Sequence, residues 1–369
     1  MSGTISETHQ LGPMSGFFIP HTMQVGIGLL SYQQIASHHS GQDAWLAILI
    51  GGLASLVLMW LILRLLENER QYGRADLFSM HRRLFGKWLG HTLNIVMMAH
   101  IFLFAVVFLR SYLEILQVWI FPQLSLISFS APFCLLIWYI VKGGIRTVGG
   151  VCFLSFIYMI PVYLSTAFAV PQLHFSNLMP VFDHHPMSLL ASAYDTNGIF
   201  LGYELILYFY PFIKRPELTG KFAFFSLLTT LYLYIILMIV GIAFFSPGQL
   251  DVNIWPTVSL WKSITFPLLE HVDMIHIVFI VWLLIPSVSM SAWILSRGIK
   301  QIIPVFKQKY ALIPVLIALT ACTMMIRNGQ QVKWMNLLYD RTGFFIVYLY
   351  IPLLFLYQWL ISKVRRSSS

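Results

Sequence analysis

Residues 188–213 read SLLASAYDTNGIFLGYELILYFYPFI. Both ends of this stretch are apolar enough to lie in a bilayer. Its middle is not: Asp195-Thr196-Asn197-Gly198 and Gly202-Tyr203-Glu204 bring turn-forming residues and carboxylates to membrane depth. Such groups are expensive in lipid unless the helix breaks there and lines a protein-enclosed cavity. A second interrupted stretch lies near the start, at 15–36, SGFFIPHTMQVGIGLLSYQQIA. Gly26 and Gly28 sit near its centre, just after Pro20 and His21. A glycine inside a helix costs about 1 kcal/mol relative to alanine and lets the backbone unwind or approach a neighbour.

The chain around these stretches is membrane-like throughout. Of 369 residues, 58% are hydrophobic and only 10% charged, and the mean hydropathy is +0.76. A soluble domain carries roughly 25% charged residues, so a water-facing exterior is excluded and lipid is the expected solvent. A spanning helix needs about 20 apolar residues. That measure gives ten segments, 15–36, 44–66, 92–117, 127–141, 149–170, 188–213, 220–245, 272–296, 310–327 and 343–362.

Charge placement tests the count. With a cytoplasmic N-terminus, 18 of the 23 lysines and arginines fall on the inner side. Four (Lys262, Arg327, Lys333 and Arg341) fall outside, and Arg110 lies within the third segment. This is the bias of the positive-inside rule, and an odd number of spans would scramble it. Both termini are therefore expected in the cytoplasm. The net charge of +9 reflects topology rather than nucleic-acid binding. The polar first residues do not resemble a cleavable signal peptide.

The two interrupted segments each open a run of five. Helices broken at corresponding positions of two halves point to a transporter-like site. The expected architecture is all-α, with ten transmembrane helices in a LeuT-like 5+5 inverted repeat and with helices 1 and 6 broken. Residues 15–170 form the first repeat and 188–362 the second, between a cytoplasmic N-terminus at 1–14 and a tail at 363–369. A glycine pair alone would equally serve as a small-residue packing face; the second break favours an unwound site. Free N–H groups at half-helix ends suit a carboxylate, and unwound carbonyls suit an ammonium. An α-amino acid offers both.

Other residues keep two readings each. Arg110 and Glu114 share a helix face at i,i+4, as a local ion pair or as an outer gate. Glu204 is either a titrating group or a cap for backbone freed at the break. Ser287, Ser289 and Ser291 follow Pro286 and either re-satisfy its freed carbonyls or help hold a sodium ion. The adjacent pairs His38-His39 and His184-His185 fall in outer loops without metal-ligand spacing. Cys134, Cys152 and Cys322 stand singly in apolar runs. No catalytic constellation, metal site or cofactor motif is expected.

Together, the ten-span layout, Gly26-Ile27-Gly28, Gly202-Tyr203-Glu204 with Pro211 closing that helix, and Leu269-Glu270-His271-Val272-Asp273 at the entry to the eighth segment resemble the B subunits of spore germinant receptors. These are the GerAB/GerKB type, in the amino acid–polyamine–organocation superfamily. His271 stands where that family carries arginine. The resemblance implies a nutrient sensor in the spore inner membrane, beside A and C receptor subunits, that binds a small germinant among helices 1, 3, 6 and 8. The ligand-binding residues expected on this basis are Gln24, Gly26, Gly28, Phe104, Asn197, Gly198, Leu201, Gly202 and Ser287. Arg110, Glu114 and Glu204 are expected on a gate or ion path. An amino acid transporter coupled to protons or sodium is the alternative on the same fold.

Overall fold

The computed structural model describes residues 10–73, 75–264 and 271–367. Among them the chain is helical throughout, with one isolated parallel bridge, Leu11 to Ile213. The motif stretch at 269–270 lies outside the described residues. Among the described residues, seven helices are long and apolar enough to cross a membrane, and Leu126–Lys142 is a shorter apolar one. The first and sixth segments complete the ten. Each is broken into pieces too short to span alone.

Segments at corresponding places in the two sets of five pack on one another. The first meets the sixth, the second the seventh, the third the eighth and the fourth the ninth. That pairing is compatible with an inverted repeat of two five-helix units. Large apolar side chains such as Val57, Leu135, Tyr139, Ile317 and Leu353 remain exposed on the outside. A bilayer, unlike water, accepts such a surface.

Three segment ends differ from the hydropathy reading. The third helix starts at Leu77 and turns at Gly86, whose φ of 79° is open to glycine. Asp76 caps it by accepting from the Ser79 N–H at 2.8 Å. The tenth helix begins at Gly329 rather than 343. Residues 329–341 are polar on average, but Val332, Met335, Tyr339 and Gly343 fall on one buried face at helical spacing. Asn328 caps that helix through Gln331 N. His38 and His39 lie in the last turn of helix Tyr32–Ser40 rather than in a loop.

At one end of the bundle, Asp43 fastens the 171–187 loop to the corner between the first two segments. Its carboxylate accepts the backbone N–H groups of Phe182, Asp183 and His184 at 2.9, 2.8 and 3.0 Å, and meets His184 Nδ1 at 3.1 Å. Burial alone would raise its pKa. The hydrogen bonds to the charged form outweigh that and hold the carboxyl below its ordinary 3.8. At the opposite end, Arg83 and Glu69 form a two-pronged ion pair, and Arg297 reaches Asp76 at 3.0 Å.

Candidate ligand site at the paired helix breaks

The first segment is a helix over Ser15–Gln24, then extended backbone at Val25 and Gly26, then a 3-10 turn over Ile27–Leu30. Gly26 is required by a neighbour rather than by its φ. A Cβ there would lie 2.3 Å from the Phe108 ring of the third segment. The sixth segment is a helix over Pro186–Asp195, a 3-10 turn over Asn197–Phe200, and a reversal at Leu201 and Gly202. Gly202 has φ +114°, and a Cβ on it would sit 2.5 Å from the Met23 carbonyl oxygen. Both facts demand glycine.

The breaks face each other. Gln24 Nε2 donates to the Phe200 carbonyl at 2.9 Å. Gly28 lies beside Ile199, with 3.4 Å left for a Cβ. Tyr234, from the seventh segment, donates its hydroxyl to the Gln24 carbonyl at 2.9 Å, and its own carbonyl accepts the Tyr32 hydroxyl at 2.7 Å. Thr257 donates to the Leu29 carbonyl at 2.9 Å. Backbone carbonyls freed at the first break are thus bonded from two neighbouring elements, as buried polar groups must be.

Glu204 is buried, and its Oε2 accepts the Gly202 N–H at 2.6 Å. The carboxylate caps the second break from within. A gap of about 10 Å³ adjoins it, lined by His100, Tyr208, Ile346 and Tyr350 among others.

Gln24, Gly26, Gly28, Asn197, Gly198, Leu201 and Gly202 all lie in the two breaks. Phe104 is next to them, its ring 4.2 Å from that of Phe108 and 5.6 Å from that of Tyr339. Leu201 fills the space beside Gly343 on the tenth segment. Ser287 uses its hydroxyl on the Leu283 carbonyl at 2.8 Å, one turn back in its own helix. Arg110 donates Nε to the Ile326 carbonyl at 2.7 Å, so it caps the end of the ninth helix, a favoured place for a cation. It binds that helix end rather than Glu114, which stands against Gly329.

Three buried oxygens in or beside the breaks have no hydrogen-bond partner: Gln24 Oε1, Asn197 Oδ1 and the Tyr203 hydroxyl. Sequence reading passed over Phe108, Tyr234, Tyr339 and Asp340. Phe108 carried a signal, since it follows Phe104 by one turn and shares its helix face. Among the described residues, no group of three or more His, Cys, Asp or Glu side chains is placed to hold a metal.

The family model described as spore germination protein matches residues 10–332. The chain belongs to that family. Spore germination protein GerQB of Bacillus cereus is 33% identical over 97% of this chain and 98% of its own length. Spore germination protein YndE of Bacillus subtilis is 24% identical over 88% of each chain. Among solved structures, MhsT in complex with L-phenylalanine superposes with a TM-score of 0.62 at 15% identity, covering 95% of this chain and 88% of MhsT. A sodium-coupled sialic acid symporter gives 0.64 at 10% identity, covering 95% and 81%. Mhp1, a nucleobase-cation-symport-1 family transporter, gives 0.58 at 15%, covering 91% and 76%. At such identities these likenesses speak for the fold. They agree with the ten-helix, 5+5 architecture with broken helices 1 and 6.

Proposed function

We propose that the chain is the nutrient-sensing membrane subunit of a spore germinant receptor, and that a small germinant, an amino acid, binds at the facing breaks of helices 1 and 6. The observation that carries this is the Gln24–Phe200 bridge between two unwound segments, beside buried oxygens that lack partners. Half-helix ends supply dipoles for a carboxylate, and the open oxygens suit an ammonium. MhsT, which shares the fold, is seen with L-phenylalanine, and this supports the ligand class. Binding biases the bundle between two states by its differential affinity for them. Partner A and C subunits receive that bias, with or without an ion path past Arg110, Glu114 and Glu204. The protein sits in the spore inner membrane with both termini cytoplasmic and is not an enzyme.

The likeness to sodium-coupled symporters favours a second reading, an amino acid transporter coupled to sodium or protons. Deleting the gene separates the two. Spores are assayed for nutrient-triggered germination and vegetative cells for labelled amino acid uptake. Lost germination with normal uptake supports the receptor; normal germination with lost uptake sinks it in favour of the transporter.

A further inference from the structure

We infer that Asp340, on the tenth segment, is the counter-charge that receives the ligand's ammonium group at the break of the sixth. This rests on the amino acid reading above and adds the recognition element to it. The carboxylate is pressed against the break, since a Cβ on Gly198 would lie 1.8 Å from Asp340 Oδ1. Gly198 therefore serves to let this side chain in.

The neighbouring charges are already committed elsewhere. Arg341 reaches Asp195 Oδ1 at 3.4 Å and lies 4.3 Å over the Tyr194 ring. His39 Nε2 holds Asp195 Oδ2 at 3.3 Å. Among the described residues, no hydrogen bond or ion pair engages the Asp340 carboxylate. Arg341 acts on it only at longer range. A carboxylate without a direct counter-ion beside buried backbone is under-compensated, and a cationic ligand group would relieve that.

The surroundings favour an ammonium. Asn197 Oδ1 and Gln24 Oε1 are buried acceptors without donors, and both residues are under one-tenth exposed, at 2% and 3%. The Asn197 amide is oriented by its Nδ2 donating to the Tyr194 carbonyl at 2.6 Å, which leaves the oxygen open. An ammonium brings three N–H donors.

The test uses the full chain in detergent, with thermal unfolding as readout. The probes are the twenty L-amino acids, their des-amino carboxylic acids, their decarboxylated amines, and sodium and potassium chloride. The proteins are wild type, Asp340→Asn and Asp340→Glu. The expected result is that at least one amino acid stabilises the wild type and its des-amino analogue does not. Asp340→Asn should weaken that amino acid by about tenfold or more, and Asp340→Glu should recover part of the affinity. Equal binding by Asp340→Asn, with its own unfolding still cooperative, overturns the assignment and leaves the amino acid reading intact. So does stabilisation by the des-amino acid equal to that by its parent. Stabilisation by potassium or sodium alone, lost in Asp340→Asn, overturns the ammonium in favour of a metal cation. No response of the wild type to any amino acid removes the proposed function and this inference together.

Discussion

Gln24 reaches from the break in the first helix to the Phe200 carbonyl in the break of the sixth, 2.9 Å away. One side-chain amide therefore joins the two places where the bundle gives up its helical hydrogen bonds. Gln24→Ala leaves that carbonyl buried without a donor, at a cost of about 1–3 kcal/mol. Gln24→Glu sets an acceptor against an acceptor and should cost more. Thermal unfolding of the purified protein checks both; an unchanged Tm in Gln24→Ala would show that the bridge holds nothing.

Gly26 and Phe108 form a second coupled pair. A methyl at position 26 would stand 2.3 Å from the Phe108 ring, so Gly26→Ala must displace the ring or the backbone. Stability and germinant response should both fall. Gly26→Ala combined with Phe108→Ala makes room and should recover part of the loss, a non-additivity of roughly 0.5–3 kcal/mol. Strictly additive effects would remove the contact from the account.

Gly202→Ala should be among the most damaging small changes in the chain. It asks alanine to adopt φ +114° and to place its methyl 2.5 Å from the Met23 oxygen. The backbone strain alone is on the order of 1–3 kcal/mol. The measurement is the amount of protein recovered from the membrane and its Tm. Near-normal values would mean that the two breaks have room to part at this point.

Asp43 gives a pH signature. Its folded-state pKa is held below 3.8 by four hydrogen bonds, against a burial effect of opposite sign. A depressed carboxyl contributes stability that is fully present above its unfolded pKa and is lost as pH falls through the folded one. Asp43→Asn should therefore be less stable than wild type near neutral pH, and the gap should close in acid below the ordinary carboxylate value. A gap that is constant across that range would contradict the latch.

The ten spans and both breaks were legible because hydropathy and glycine placement are local signals. Gly26, Gly28, Gly198 and Gly202 mark where the helix stops. Their partners were not legible, because Phe108, Met23 and Asp340 are brought to them by tertiary packing. The start of the tenth helix was hidden for a related reason. Lys333, Asp340 and Arg341 lower the average hydropathy, while Val332, Met335 and Tyr339 still bury one face. An average over a window does not see a face. Ser287 drew notice from its neighbour Pro286, yet its hydroxyl is spent on its own helix.

The central claim is that nutrient recognition occurs at the paired breaks. Its most direct measurement is the germination of spores that carry Gly26→Leu as their sole copy of this chain, with membrane levels of the protein measured in parallel. A leucine at position 26 meets the Phe108 ring and fills the first break. The account predicts protein present in the membrane and loss of the nutrient response that wild type shows. A full nutrient response at normal protein level would contradict it.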